Sequence, residues 1–216
     1  MIDPPEQVNS SGAQAANTRR RPHRALITAF PVVLDACVLS NSTIRDFILW
    51  AAHHALFRPL WSKDLLDEVR STLTKFGVPT PRIDYMIEQM TTAFPEAVVV
   101  GYESIIPVMT NQEKDRHVLA AAVIGKGQLI VTENHRDFPP ASLTPYQIET
   151  VGPDDFLCDL LDVDRERMLE VLMALAKTRK FPPKTIDDIL SALVENRCPG
   201  FASDLQAAIE TEYHDS

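Results

Sequence analysis

Four acidic residues, Asp35, Glu68, Asp115 and Asp137, and two polar neighbours, Thr132 and Asn134, occupy positions whose surroundings call for an explanation. Asp35 stands inside Pro31-Val-Val-Leu-Asp-Ala-Cys-Val-Leu39, an apolar run that reads as a strand buried on both faces of a parallel sheet. An ionised carboxylate there is costly, so it must be hydrogen-bonded, protonated, or held at a metal or catalytic site near the strand's carboxyl end. Asp115 opens Asp115-Arg-His-Val-Leu-Ala-Ala-Ala-Val123, a segment too apolar to lie exposed. It either caps that helix or lies where the helix meets the rim of the sheet. Glu68 falls among Leu65, Leu66 and Val69 on a helix, with Asp67 as the competing carboxylate. Asp137 follows a strand, and Asn134 and Asp137 face the same way if that segment turns helically.

Carboxylates from four segments repel one another unless hard divalent cations neutralise them, and Mg²⁺ and Mn²⁺ take oxygen ligands of this kind. Such ions activate water and stabilise the charge that builds up in phosphodiester cleavage. If all four carboxylates serve one ion, they should reach a volume within about 5 Å. Arg45, Lys63, Arg70, Lys114, Arg116 and Arg136 are candidates to contact phosphates. His117 and His135 fall near the acidic positions, whereas the adjacent His53 and His54 face different directions on a helix and make a poor metal pair. No Gly-rich phosphate loop and no Gly-x-Ser-x-Gly elbow is present.

These residues are spaced along an alternation of strands and helices. Ala25 to Leu39 forms the first strand, and Asn41-Ser-Thr43 caps a helix through Ile44, Phe47, Ile48 and Ala51. A short strand, Leu56 to Trp61, precedes Ser62, the N-cap of a helix that Gly77 and Pro79 end. A helix from Pro81 to about Phe94 leads to a strand over Ala97 to Tyr102. A buried helix from Asp115 to Ile124 and strands at Gln128 to Thr132 and Gln147 to Val151 complete a parallel α/β sheet. From Pro153 the pattern is helical only, over Asp155 to Leu161, Arg165 to Lys177, Thr185 to Glu195 and Ser203 to about Tyr213, with Pro182-Pro183 as punctuation.

The 216 residues and 45% hydrophobic content suit one well-buried domain with an appendage. Residues 1–24 are polar, end in a cluster of arginines and cannot bury a core, so disorder is expected there. The organisation expected is a tail over 1–24, an α/β domain over 25–160 and a helical extension over 161–216. No apolar run is long enough to span a bilayer and no signal peptide is evident, which points to a cytoplasmic protein without membrane partners. Three widely spaced cysteines, Cys37, Cys158 and Cys198, read as free thiols. The net charge of −9 argues against a broad nucleic-acid-coating surface, although metals at a site can supply positive charge locally.

Val33-Leu-Asp35-Ala-Cys-Val-Leu39, Arg45-Asp46, Leu66-Asp-Glu68, Asp115-Arg-His-Val-Leu-Ala-Ala-Ala122 and Ile130-Val-Thr-Glu-Asn-His-Arg-Asp-Phe-Pro139 together resemble, in order, the successive motifs of PIN-domain ribonucleases. The resemblance runs over about residues 25–151 and implies a three-layer α/β/α fold with a mostly parallel sheet. It also implies single-strand RNA cleavage with Mg²⁺ or Mn²⁺. Residue by residue, Asp35, Glu68, Asp115 and Asp137 match the family's metal-site acids, and Thr132 and Asn134 its supporting polar residues. Many bacterial members are VapC-like toxins of toxin–antitoxin pairs, silenced by a small antitoxin and commonly homodimeric. The chain departs from a typical toxin in its polar N-terminal tail and in the helices after about Asp164. Two other readings use the same residues: a PIN-fold protein-binding module without nuclease activity, and a metal-dependent phosphohydrolase of small molecules.

Overall fold

The structure, a computed structural model, describes residues 30–178 and 185–214. The polar segment 1–24, the start of the expected first strand and Pro182-Pro183 lie outside the described residues. Strand β1 (Pro31–Leu34) carries three side chains with no exposed surface, Val32, Val33 and Leu34, as a strand covered on both faces must. The strand stops at Leu34 instead of running to Leu39. Asp35 adopts an extended backbone and accepts the Ala36 amide, so it caps a five-residue helix, α1 (Ala36–Ser40). Asn41 then ends α1 and caps α2 (Ser42–His53), its side-chain oxygen accepting the Thr43 and Ile44 amides.

Strand β2 (Arg58–Ser62) passes into α3 (Lys63–Lys75), with Ser62 accepting the Leu65 amide as N-cap. After α4 (Thr80–Ala93) comes β3, which covers only Val98–Val99 of the expected Ala97 to Tyr102. It pairs with Trp61 and Ser62, beyond Pro59, a residue that has no amide hydrogen to give a neighbouring strand. The buried helix α5 (Arg116–Ile124) leads to β4 (Leu129–Val131), and the short α6 (Pro140–Leu143) to β5 (Glu149–Val151).

All four strand pairings are parallel, in the order β3-β2-β1-β4-β5. The chain steps in one direction through β1, β2 and β3, then returns past β1 to β4 and β5. With right-handed crossovers, α1 to α4 cover one face and α5 and α6 the other, giving three layers, α/β/α. The reversal lies between β1 and β4. Open α/β sheets bind ligands at the carboxyl ends of the strands flanking such a switch point. Helix α5 lies against β1 and β2 and is pressed close at its C-terminal end: a Cβ at Gly125 would sit 2.8 Å from Leu60 Cδ1 and 2.9 Å from Val99 Cγ2. With that end fixed, the opposite end of α5 brings Asp115 to the carboxyl edge.

Helices α7 (Pro153–Val163), α8 (Arg165–Thr178), α9 (Ile186–Glu195) and α10 (Pro199–His214) form the C-terminal part. Helix α10 begins at Pro199, earlier than the expected Ser203, because Asp154 accepts the Gly200 and Phe201 amides at 3.0 and 2.7 Å. This part packs on the sheet-containing body. Phe201 meets Phe47 edge-on at 5.3 Å, Phe156 meets Phe57 at 5.1 Å, and Asn41 Nδ2 donates to Asn196 Oδ1 at 2.9 Å.

Candidate active site at the carboxyl edge of the sheet

Asp35 ends β1 on one side of the switch point, and Thr132 follows β4 on the other. The Asp35 amide still donates to Val131 O at 3.1 Å, so sheet pairing holds the residue in place. Its carboxylate is almost fully buried and has a donor for each oxygen. Oδ1 accepts the Ala36 amide at 2.6 Å, and Oδ2 accepts the Thr132 hydroxyl at 2.5 Å and the Cys37 thiol at 3.3 Å. Thr132 Oγ1 also accepts the Asn134 amide at 2.9 Å, so Asn134 supports the site through its backbone while its side chain lies exposed. Burial first, and then the Asp35 charge, push the Cys37 thiol up to about 12. It is therefore a neutral donor to Asp35 at ordinary pH.

Asp115 and Asp137 form the second group. Asp115 is buried where a short 3-10 turn (Glu113–Asp115) passes into α5, and its backbone carbonyl accepts Asn111 Nδ2 at 2.9 Å. Asp137 ends the 3-10 turn His135–Asp137, and its carbonyl accepts the Gln112 amide at 3.0 Å, tying the two segments together. The Lys114 ammonium stands between the two carboxyl groups, 2.7 Å from Asp137 Oδ2 and 3.1 Å from Asp115 Oδ2. Burial, reinforced by Asp137, raises the Asp115 carboxyl despite Lys114. The hydrogen bond from Lys114 lowers that of the more accessible Asp137.

Glu68 forms the third group, with His117 of α5. His117 Nε2 lies 3.1 Å from Glu68 Oε1, and because a carboxylate only accepts, the Nε2 hydrogen is the one shared. Burial disfavours the charged imidazole, but the Glu68 hydrogen bond and charge, with Asp64 and Asp115 behind them, outweigh it and hold the ring above its usual range. The competing Asp67 is turned outward and pairs with Lys63 at 2.5 Å.

The expectation that all four carboxylates reach one ion-sized volume is corrected by this arrangement. Among the described residues, no group of three or more His, Cys, Asp or Glu side chains is spaced to hold a metal ion. The acids share one edge of the sheet but divide among three protein donors, a hydroxyl, an imidazole and an ammonium. Like charges separate when each finds its own compensation. The oxygen pair Asp115 and Asp137, which already converges on one cation, is the kind of donor set Mg²⁺ accepts. That ion is usually held by one or two carboxylates and keeps several waters.

Of the candidate phosphate contacts, only Lys114 stands among the acids. Arg70 pairs with Asp84, Lys63 with Asp67, Arg45 donates to Leu39 O at 3.1 Å, and Arg116 donates to Asn111 O at 3.4 Å. The bridging role of Lys114, the thiol of Cys37 and the buried amide of Asn111 were not legible as parts of the site. The signal for Lys114 and Cys37 was adjacency, one residue from Asp115 and two from Asp35.

Residues 153–207 match the family model of the VapC50 C-terminal domain. Over 114 residues the chain is 44% identical to a Mycobacterium tuberculosis protein named "Putative ribonuclease VapC50". The alignment covers 53% of this chain and 64% of that relative's length. No solved structure matches. The chain thus carries its family-model match in α7 to α10, the elements that close over α2, while the carboxylates sit at the sheet edge. No helix among the described residues is long and apolar enough to cross a membrane.

Proposed function

We propose that this protein is a divalent-metal-dependent endoribonuclease, the toxin of a toxin–antitoxin pair, acting in the cytoplasm and silenced by a small antitoxin protein. The observation that carries the reading is the position of Asp35, a fully hydrogen-bonded carboxylate at the switch point of a parallel sheet, on the same edge as the Asp115–Asp137 pair. The similarity to a relative named as a ribonuclease supports the same reading.

In this scheme Asp115 and Asp137 would hold Mg²⁺ or Mn²⁺, with Asp35 and Glu68 acting on the ion through water. The bound cation would supply Lewis-acid stabilisation of phosphate charge and a more acidic water. Thr132 and Cys37 keep the Asp35 carboxylate aimed, because both donate to its Oδ2. His117 keeps Glu68 turned toward α5.

The test is cleavage of a single-stranded RNA oligonucleotide by purified protein with and without Mn²⁺, alongside a small phosphomonoester. RNA cleavage that needs Mn²⁺ and disappears in Asp35→Ala and Asp115→Asn, with both variants folded by circular dichroism, is expected. Undiminished cleavage by either variant, or turnover of the phosphomonoester alone, would overturn the reading.

A further inference from the structure

We propose that Lys114 is a tethered counter-ion that holds the divalent-cation position between Asp115 and Asp137 and sets how tightly the site takes a metal. This rests on the metal-dependent reading above. One ammonium makes two short contacts, 2.7 Å to Asp137 Oδ2 and 3.1 Å to Asp115 Oδ2, so its charge lies where the two carboxylates converge. The Lys114 side chain is 62% exposed while that of Asp115 is 9% exposed. The cation therefore reaches in from solvent on a flexible stem, and the acids are the fixed partners. A four-carbon stem that lies mostly in water can leave without repacking any core side chain.

Asp115 and Asp137 come from segments joined by backbone hydrogen bonds, Gln112 N to Asp137 O at 3.0 Å and Asp115 N to Gln112 O at 2.9 Å. These bonds keep the two residues adjacent when the ammonium departs, and the lost charge of +1 is then made up by another cation or by a proton. A divalent ion does this better than a monovalent one, because it offers twice the charge to the same two oxygens. Lys114 thus acts as an internal competitor that any metal must displace. Arg136, one residue from Asp137, has no contact with either carboxylate among the described hydrogen bonds and ion pairs. It serves as a control for the general effect of removing positive charge nearby.

The experiment is isothermal titration of Mn²⁺ into the full-length protein freed of metal by chelation, for wild type, Lys114→Met, Lys114→Arg and Arg136→Met. An exposed ion pair is weak, so its removal should tighten Mn²⁺ binding in Lys114→Met by about two- to fivefold. Lys114→Arg should stay near wild type, and Arg136→Met should change by less than about twofold. The rise in melting temperature on adding Mn²⁺ should be larger in Lys114→Met than in wild type. Equal or weaker binding by Lys114→Met, or an equal gain in Arg136→Met, overturns the tethered counter-ion while leaving the metal site standing. Absence of Mn²⁺ binding in all four proteins overturns the metal reading and this inference with it.

Discussion

The Thr132 hydroxyl donates to Asp35 Oδ2 at 2.5 Å, joining the ends of β4 and β1 across 97 residues of sequence. The bond spans the one place where the strand order reverses, so it fixes both the carboxylate and the mouth of the switch point. Because Asp35 is buried, losing the donor leaves a charged oxygen short of a partner, at a cost of about 1–3 kcal/mol. Thr132→Val should therefore lower stability by about that amount in urea denaturation and lower RNA cleavage. Thr132→Ser should recover most of both. A Thr132→Val protein as stable as wild type would show that the hydroxyl is dispensable to Asp35.

Glu68 and His117 make a pair whose strength can be isolated. Since the Glu68 side chain is 44% exposed, solvent screens the interaction, and a double-mutant cycle of Glu68→Gln and His117→Ala should give a coupling of about 0.5–1 kcal/mol. Asp67→Asn, at the outward-facing residue paired with Lys63, should change stability by no more than about 0.5 kcal/mol. Zero coupling between Glu68 and His117, measured by chemical denaturation, would remove His117 from the site.

Two thiols away from the carboxylates should make the protein sensitive to alkali. Burial first, then Asp154 and Glu133, push Cys198 up to about 12, and burial first, then Asp154 and Asp204, raise Cys158 as well. In the unfolded chain a thiol releases its proton near pH 8.5. Above that pH the unfolded state binds fewer protons than the native state, so stability falls as pH rises from about 8.5 toward 12. Urea midpoints measured from about pH 8 to 10.5 should fall more steeply for wild type than for the Cys158→Ala/Cys198→Ala protein. Equal slopes would mean that these thiols do not contribute.

Much of the architecture was written in local signals. Asn41 and Ser62 are N-caps as their residue types suggest, the buried character of α5 follows from its run of Val, Leu and Ala, and the strand and helix alternation specified a parallel sheet. Asp35, Asp115 and Asp137 were legible because each sits where an apolar segment begins or ends, whereas Glu68 stood out only by its apolar neighbours Leu65, Leu66 and Val69. What the sequence did not reveal was which donor each acid takes, since Thr132, His117 and Lys114 reach their partners through tertiary placement. The i,i+4 spacing of Lys63 and Asp67 carried one unused clue: a surface pair on α3 turns Asp67 outward and leaves Glu68 for the neighbouring helix. The strand that was expected to continue to Leu39 ended early because Asp35 acts as a cap, a role that an apolar neighbourhood conceals.

Phe201 fills the space beside Phe47, Phe156 meets Phe57 edge-on, and Asn196 meets Asn41 at the junction of α1 and α2. The segment that matches the VapC50 C-terminal domain therefore shares its packing with the body that carries the acids. In evolutionary terms the two cannot be exchanged independently among relatives. A new C-terminal segment would need a matching α2 surface, and substitutions at Phe47, Asn41 and Phe57 should travel together with those at Phe201, Asn196 and Phe156.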